Sequence, residues 1–381
     1  MPIIQRFFRD PGRSYFLFGP RGTGKSTWVK QMNPQATYVD LLKPEIERQF
    51  TAYPERLSAL VQKGSSQTIF IDEIQRAPAL LTVVHDIIEQ KTGIKFVLSG
   101  SSPRKLKRTG ADLLGGRALL REMHPFMASE LGERFNLEQA LSNGLLPIVF
   151  GDPAPQQVLQ TYISLYLKEE IQTEGLIRNL SSFSRFLEAI SFSQASLLNV
   201  TNVARECEVK RGTVENYIQI LEELLLSFQL PVFRNRTQRE LIQHPKFYLF
   251  DVGVFTALRP RGILDVPTEI QGPALEGLVA QHLRAWNDYS DEKHSISFWR
   301  TRAGLEVDFI VYGPGGLWAI EVKNSTKVHD GDLKSLKAFL EDYPMAKLIL
   351  LYRGNLRFQQ GTIDCVPCED FLRRLQPNQL I

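Results

Sequence analysis

The chain has 381 residues, 43% hydrophobic and 23% charged, with a formal net charge of +3. That composition excludes a disordered or collagen-like chain, and no apolar run approaches the ~20 residues of a membrane-spanning helix. So small a net charge does not indicate nucleic acid by itself; local basic patches have to do that. The length predicts roughly two to four compact units. Residues 1–10 lack the apolar core of a signal peptide, which makes the cytoplasm the expected location. Cys207, Cys365 and Cys368 are too few for a disulfide framework, and the CxxC at 365–368 has no second CxxC or paired histidines beside it.

Tyr15-Phe16-Leu17-Phe18 reads as a short strand and Thr27-Trp28-Val29-Lys30-Gln31 as part of a helix. Between them lies Gly19-Pro20-Arg21-Gly22-Thr23-Gly24-Lys25-Ser26, a glycine-rich phosphate loop in the setting that gives the pattern meaning. Glycines let the backbone wrap an anion and turn successive N–H groups inward. The helix N-terminus adds partial positive charge at the same place. The expected ATP-binding residues are Gly19, Gly22, Thr23, Gly24, Lys25, Ser26 and Thr27, with Lys25 on the β- and γ-phosphates and Ser26 on Mg²⁺.

Residues 36–40 follow as a strand and 54–62 as a helix. Residues 66–73 form an apolar strand that ends in paired carboxylates. Asp72 would hold Mg²⁺, and Glu73 would orient and deprotonate the attacking water. A helix over 78–90 carries Leu80, Leu81, Val84, Ile87 and Ile88 at helical spacing. Residues 94–102 are a further apolar strand, ending in hydroxyls. Alternating strands and helices predict an α/β fold, a parallel sheet with its ligand site at the carboxyl edge where Lys25, Asp72 and Ser99 fall.

The loop, the Asp72-Glu73 strand end and the polar strand end at Ser99 together resemble an AAA+-type P-loop ATPase. Leu114-Gly115-Gly116-Arg117, then Met123-His124-Pro125-Phe126, resembles one prokaryotic branch of that family, whose C-terminal region is known as a domain of unknown function. The resemblance implies that Ser99 is a first sensor and that Arg117 is an arginine finger on a neighbouring subunit's γ-phosphate. It also implies a homo-oligomer with its ATP site at a subunit interface. A surface ion pair of Arg117 with Glu122 or Asp112 is the plainer alternative, and Arg121 is a reserve candidate. The basic stretch 104–108 reads either as a solvated loop or as a contact to DNA phosphate. Residues 156–172 and 182–192 have helical spacing and are expected to form a helical lid over the nucleotide, or else a plain linker.

From Leu198, a short capped helix, a turn, a longer helix over 213–228 and strands at 230–233 and 246–250 resemble a winged helix. Lys210 and Arg211 stand at the mouth of the second helix, where a recognition helix meets DNA. Arg234, Arg236 and Arg239 lie in the wing. Many winged helices mediate only protein contacts. Further on, a helix over 273–286 precedes a hairpin of residues 304–311 and 317–323. Period two puts Glu321 and Lys323 on one face near Asp308, with Glu276 of the helix in reach. Glu276, Asp308, Glu321 and Lys323 resemble the signature of the PD-(D/E)XK nuclease fold, in which carboxylates hold Mg²⁺ or Mn²⁺ and the lysine helps activate water. The same fold hosts proteins that bind DNA without cutting it, and a salt-bridged hairpin needs no nucleic acid.

The expected organisation is a P-loop ATPase core over 1–127, a helical lid over 128–192, a winged helix over 193–260 and a restriction-endonuclease-like α/β domain over 261–381. Its joint reading is an ATP- and Mg²⁺-dependent protein, away from membranes, that remodels or clamps DNA, including branched DNA. The alternative is an ATP-dependent switch whose rear domains dock a protein partner.

Overall fold

A computed structural model describes residues 4–63, 66–104, 106, 114–167, 179–234, 244–260, 262 and 266–381. The chain divides into two compact units, one made of Phe8–His124 with Glu222–Leu226, the other of Met1–Phe7, Pro125–Leu221 and Ser227–Ile381.

The first unit holds five strands, β1 (Tyr15–Phe18), β2 (Thr37–Asp40), β3 (Thr68–Asp72), β4 (Lys95–Ser99) and β5 (Leu119–Glu122), in the order β2-β3-β4-β1-β5. All neighbours pair in parallel. The apolar runs of β1, β3 and β4 are buried almost throughout, as a parallel sheet covered on both faces requires. Helices α1 (Lys25–Met32), α2 (Pro44–Ala52), α3 (Arg56–Lys63) and α4 (Leu80–Glu89) connect the strands. Sequence reasoning missed α2, which buries only Phe50 and so lacks an apolar stripe. Its available signal was Pro44 in the first turn followed by Glu45 and Glu47.

The second unit gathers the segments expected as lid, winged helix and nuclease-like domain. The helices expected over the nucleotide belong to this unit. Leu137–Asn143 and Pro155–Thr161 pack on the helix Val252–Leu258, and Leu180–Ser191 packs on both Val200–Glu206 and Val252–Leu258. The helix expected over 156–172 gives way to a π-helix at Tyr162–Leu167, and residues 168–178 lie outside the described residues.

A three-stranded antiparallel sheet, β6 (Ser196–Leu197), β8 (Lys246–Leu249) and β7 (Ser227–Leu230), accompanies the helices Val200–Glu206 and Arg211–Glu223. Asn199 caps the first of these, its side chain accepting from the Asn202 N–H at 3.0 Å. The second stops at Glu223, short of the expected 228, because Ser227 and Phe228 join β7. A six-stranded sheet then runs β13-β14-β12-β11-β10-β9, with β9 Ser295–Arg300, β10 Glu306–Gly313, β11 Gly316–Lys323, β12 Lys347–Tyr352, β13 Phe358–Gln360 and β14 Ile363–Pro367. The two sheets are stitched together beyond β7. Phe233 N–H donates to the Phe298 carbonyl at 2.7 Å, Phe298 N–H to Pro231 at 3.0 Å, and the Phe233 ring is buried in the core of the larger sheet. The helix before that sheet spans Pro267–Tyr289, starting earlier than expected and running through Pro273 at the loss of one backbone hydrogen bond.

Two buried polar contacts tie this unit together. Arg6 and Glu130 pair at 3.1 Å, and the Glu130 carboxylate also accepts from the backbone N–H of Phe7 at 2.6 Å and of Met127 at 2.9 Å. His282 Nε2 accepts from the Ala128 N–H at 2.9 Å while Nδ1 donates to the Leu278 carbonyl at 2.7 Å, which requires the neutral ring. Burial pushes the His282 pKa down to about 4. Between that value and the ordinary ~6.5 the unfolded chain binds a proton that the folded one refuses, so acid favours unfolding. In urea titrations, wild type is expected to lose roughly 2–3 kcal/mol relative to His282→Gln between about pH 7.5 and pH 4.5. Parallel pH profiles for the two proteins would contradict this.

Candidate nucleotide-binding site and carboxylate cluster

The glycine-rich loop joins β1 to α1 at the carboxyl edge of the parallel sheet. Gly19 admits no other residue: a Cβ there would stand 2.4 Å from the Met123 carbonyl oxygen. Gly24, at φ 89°, turns the chain into α1. Lys25 is buried and donates to the carbonyls of Gly19 at 2.6 Å and Pro20 at 3.2 Å, while the Thr23 hydroxyl donates to Pro20 at 2.8 Å. Gly22 lies within the loop at φ 85°, and Thr27 is exposed in the first turn of α1.

Hydroxyls converge on Asp72, which is 2% exposed at the end of β3. Ser26 donates to its Oδ1 at 3.0 Å, Ser99 of β4 donates to the same oxygen, and Tyr38 of β2 donates to Oδ2 at 2.6 Å. Burial and then Asp72 raise the Tyr38 pKa, so the phenol stays a donor. The structure thus brings Ser26, Ser99 and Tyr38 together on Asp72, while Lys25 rests on the carbonyls of its own loop. No motif marks that tyrosine. Its only signal is an inward position on the strand beside β3, paired with Phe70.

Glu73 sits at φ 61° and ψ 48°, a left-handed conformation that costs a non-glycine residue roughly 1–3 kcal/mol. Its carboxylate accepts from the Gln75 amide, and its N–H donates to Ser99 Oγ at 3.4 Å. Gln75 is itself buried, and its other amide atom lies 2.6 Å from where a Cβ at Gly100 would be. Gln75 therefore holds the carboxylate beside Asp72, a role that sequence reasoning did not assign.

Arg117 precedes β5. In register Tyr15 pairs with Leu119 and Phe18 with Glu122, so Arg117 is at the amino edge and the loop at the carboxyl edge. A strand length of ~13 Å separates them. Arg117 pairs with Glu89 at the end of α4, not with Glu122, and donates to the Gly115 carbonyl at 3.3 Å. Arg121 donates to the Leu120 carbonyl at 3.5 Å. Arg104 of the basic stretch pairs with Glu223, while Lys105, Lys107, Arg108 and Asp112 lie outside the described residues.

In the second unit, the expected nuclease-like residues do assemble, but around a lysine. The β10–β11 hairpin pairs Phe309 with Ile320, which sets Asp308 and Glu321 next in register. Lys246, from β8, donates to Glu276 at 2.8 Å and Asp308 at 3.0 Å and also pairs with Glu306. Lys323 donates to Glu321 at 2.5 Å. Among the described residues, no three of these carboxylates bring one oxygen each within 4.8 Å of the others, as a metal-ligand group would. The ammonium of Lys246 stands among the carboxylates that were expected to hold a divalent metal. Lys246 and Tyr248, whose hydroxyl donates to Glu276 at 2.6 Å, were read only as parts of a strand.

Lys210, Arg211 and Arg234 are exposed, and Arg211 pairs with Glu215 at 2.9 Å one helical turn on. Arg236 and Arg239 lie outside the described residues. Cys365 and Cys368 are buried free thiols, and burial pushes Cys368 up to about 12, so it stays protonated and unreactive.

Comparisons with known proteins bear mainly on the first unit. Residues 12–132 match the family model of an AAA domain. Residues 134–265 and 271–371 match models of two domains of unknown function, DUF8612 and DUF4143. No curated protein matches the chain. Solved structures give weak likenesses. A Walker-type ATPase of Pyrococcus abyssi is 15% identical with a TM-score of 0.44, over 65% of this chain and 91% of that one. The replication initiator DnaA bound to AMPPCP and single-stranded DNA is 14% identical with a TM-score of 0.27, over 56% and 82%. A protein from Vibrio cholerae is 14% identical with a TM-score of 0.23, over 90% and 97%. These scores are too low to transfer a function. The AAA match over residues 12–132 and the parallel sheet with its glycine-rich loop together support an ATPase core of the P-loop class in this chain.

Proposed function

We propose that the chain binds ATP with Mg²⁺ at residues 19–27 and hydrolyses it. The observation that carries this reading is the convergence of Ser26, Tyr38 and Ser99 on Asp72 beside the loop that bears Lys25. An all-oxygen donor set suits Mg²⁺, a hard cation, which would screen phosphate charge once bound to Ser26 and Asp72. Lys25 would turn from the loop carbonyls to the β- and γ-phosphates, and the start of α1 would hold the β-phosphate. Glu73 would orient the water and take its proton, with Gln75 fixing the carboxylate and Ser99 fixing Asp72. Arg117, too far from its own loop, would act on the γ-phosphate of a neighbouring subunit in a homo-oligomer.

In the same proposal the second unit engages DNA without cutting it. The order helix, short strand, two helices, then two strands over 180–249 supports a winged helix, and exposed Lys210, Arg211 and Arg234 supply phosphate contacts. The six-stranded sheet behind it supports the restriction-endonuclease-like fold. A second reading, docking of a protein partner, is favoured by the Arg211–Glu215 pair, which leaves that helix face mixed in charge. ATP turnover with duplex and four-way DNA across a salt series separates the two. DNA contact predicts stimulation that falls steeply with salt. It also predicts a loss of roughly tenfold in DNA affinity when Lys210, Arg211 and Arg234 are all changed to Ala, with the log–log salt slope reduced by ~0.9 per lost contact. Turnover indifferent to DNA at every salt concentration would leave the protein-docking reading.

A further inference from the structure

The carboxylate cluster of the second unit is built around a cation that the chain supplies itself. Lys246 opens β8 and is 1% exposed. Its ammonium meets Glu276 Oε1 at 2.8 Å, Asp308 Oδ1 at 3.0 Å and a Glu306 oxygen, and stands 5.5 Å from the centre of the Phe298 ring. The remaining capacity of these carboxylates is largely taken. Asp308 Oδ2 accepts from the Val322 N–H at 2.9 Å, Glu276 also accepts from Tyr248 at 2.6 Å, and Glu306 pairs with Arg300 at 2.7 Å. Glu321 is the exception. It is 4% exposed and accepts from Lys323 through Oε1, while its Oε2 is buried without a hydrogen-bond partner.

The charges do not balance. Four carboxylates, Glu276, Glu306, Asp308 and Glu321, face three cations, Lys246, Lys323 and Arg300. Each of the ammonium's three donors thus meets one carboxylate, an all-oxygen set of the kind a hard divalent cation takes, and the nearby Glu321 keeps one oxygen bare.

We propose that Lys246 is a built-in plug for a divalent-cation site formed by Glu276, Glu306 and Asp308, with Glu321 as the further donor. This stands apart from the ATPase reading and rests on the second unit alone. The ammonium keeps the Glu276 and Asp308 oxygens at 2.8 and 3.0 Å, whereas a divalent ion draws oxygens to about 2.0–2.6 Å, so these two carboxylates need move in by less than ~1 Å once the lysine is gone. A free ion does not displace an ammonium tethered by its own strand and already held by charge-assisted hydrogen bonds. The wild-type cluster is therefore metal-free and inert toward phosphodiesters. The plug comes from the three-stranded sheet and the socket from the helix Pro267–Tyr289 and the six-stranded sheet.

The test is a Mn²⁺ titration of the full chain without nucleotide, read by the electron paramagnetic resonance of the bound ion and by melting temperature. Wild type is expected to show no Mn²⁺ binding that depends on Asp308. Lys246→Ala is expected to melt lower in chelator, to bind Mn²⁺ at least tenfold more tightly than wild type, and to recover its melting temperature when the ion is added. Adding Asp308→Asn to Lys246→Ala should remove that gain. Should Lys246→Ala fold only with Mn²⁺ present, the proposal is equally supported. Asp308-dependent Mn²⁺ binding by wild type would overturn it. So would a Lys246→Ala protein that takes up no ion, or one that stays unfolded with and without Mn²⁺.

Discussion

Glu73→Gln is expected to bind ATP as tightly as wild type and to turn it over about 10²- to 10⁴-fold more slowly, the usual worth of a positioned general base. The amide keeps the shape of the side chain and leaves Lys25, Ser26 and Asp72 untouched, but it cannot take a proton. The backbone at Glu73 is already left-handed and Gln75 already bonds the side chain, so the exchange adds no new strain. Equilibrium binding of a fluorescent ATP analogue, run beside steady-state phosphate release, separates the two effects. The same variant tests the neighbour's arginine. Glu73→Gln subunits retain Arg117, and Arg117→Ala subunits retain Glu73, so mixing two nearly inactive proteins should restore part of the turnover. A chain that stays monomeric with ATP and DNA would rule that arrangement out, and a variant with unchanged turnover would remove Glu73 from the mechanism.

Lys25→Ala should fail earlier, at binding. Hydrogen bonds to charged partners contribute about 1.5–3 kcal/mol each, so losing the ammonium should weaken ATP about a hundredfold or more. Lys25 now rests on the Gly19 and Pro20 carbonyls. Both belong to the loop backbone, so the fold should survive the change, with a melting temperature close to that of wild type when no nucleotide is present. Isothermal titration with ATP and Mg²⁺ checks the affinity. Equal dissociation constants for wild type and variant would refute the nucleotide site.

The residues readable in advance were those whose partners are set by local register. Lys25 and Ser26 follow β1 directly, Asp72 and Ser99 end neighbouring parallel strands, and Asp308 and Glu321 face each other across a hairpin. Period and strand direction alone bring such groups together. Tyr38, Gln75 and Lys246 were not readable in this way. Tyr38 reaches Asp72 across 34 positions and Lys246 reaches Asp308 across 62, so each contact exists only after the sheets are assembled. Arg117 shows the same limit: acidic residues near it in sequence were the expected partners, yet the fold delivers Glu89 from the preceding helix. Phe233, read as a strand residue of the segment expected to end at 260, is buried in the core of the six-stranded sheet, a long-range contact that no local pattern announces.

The route of the backbone has a mechanical consequence. The chain leaves one compact unit for the other after Phe7, His124, Leu221 and Leu226, so the nucleotide-binding unit is an insertion and not an N-terminal appendage. A unit joined to its partner at four points of the chain cannot be released by a single cut. The same threading makes the halves hard to separate by simple truncation. A fragment begun at residue 125 would lack Arg6 and leave the buried Glu130 carboxylate without its guanidinium, a type of deletion that costs about 3–5 kcal/mol.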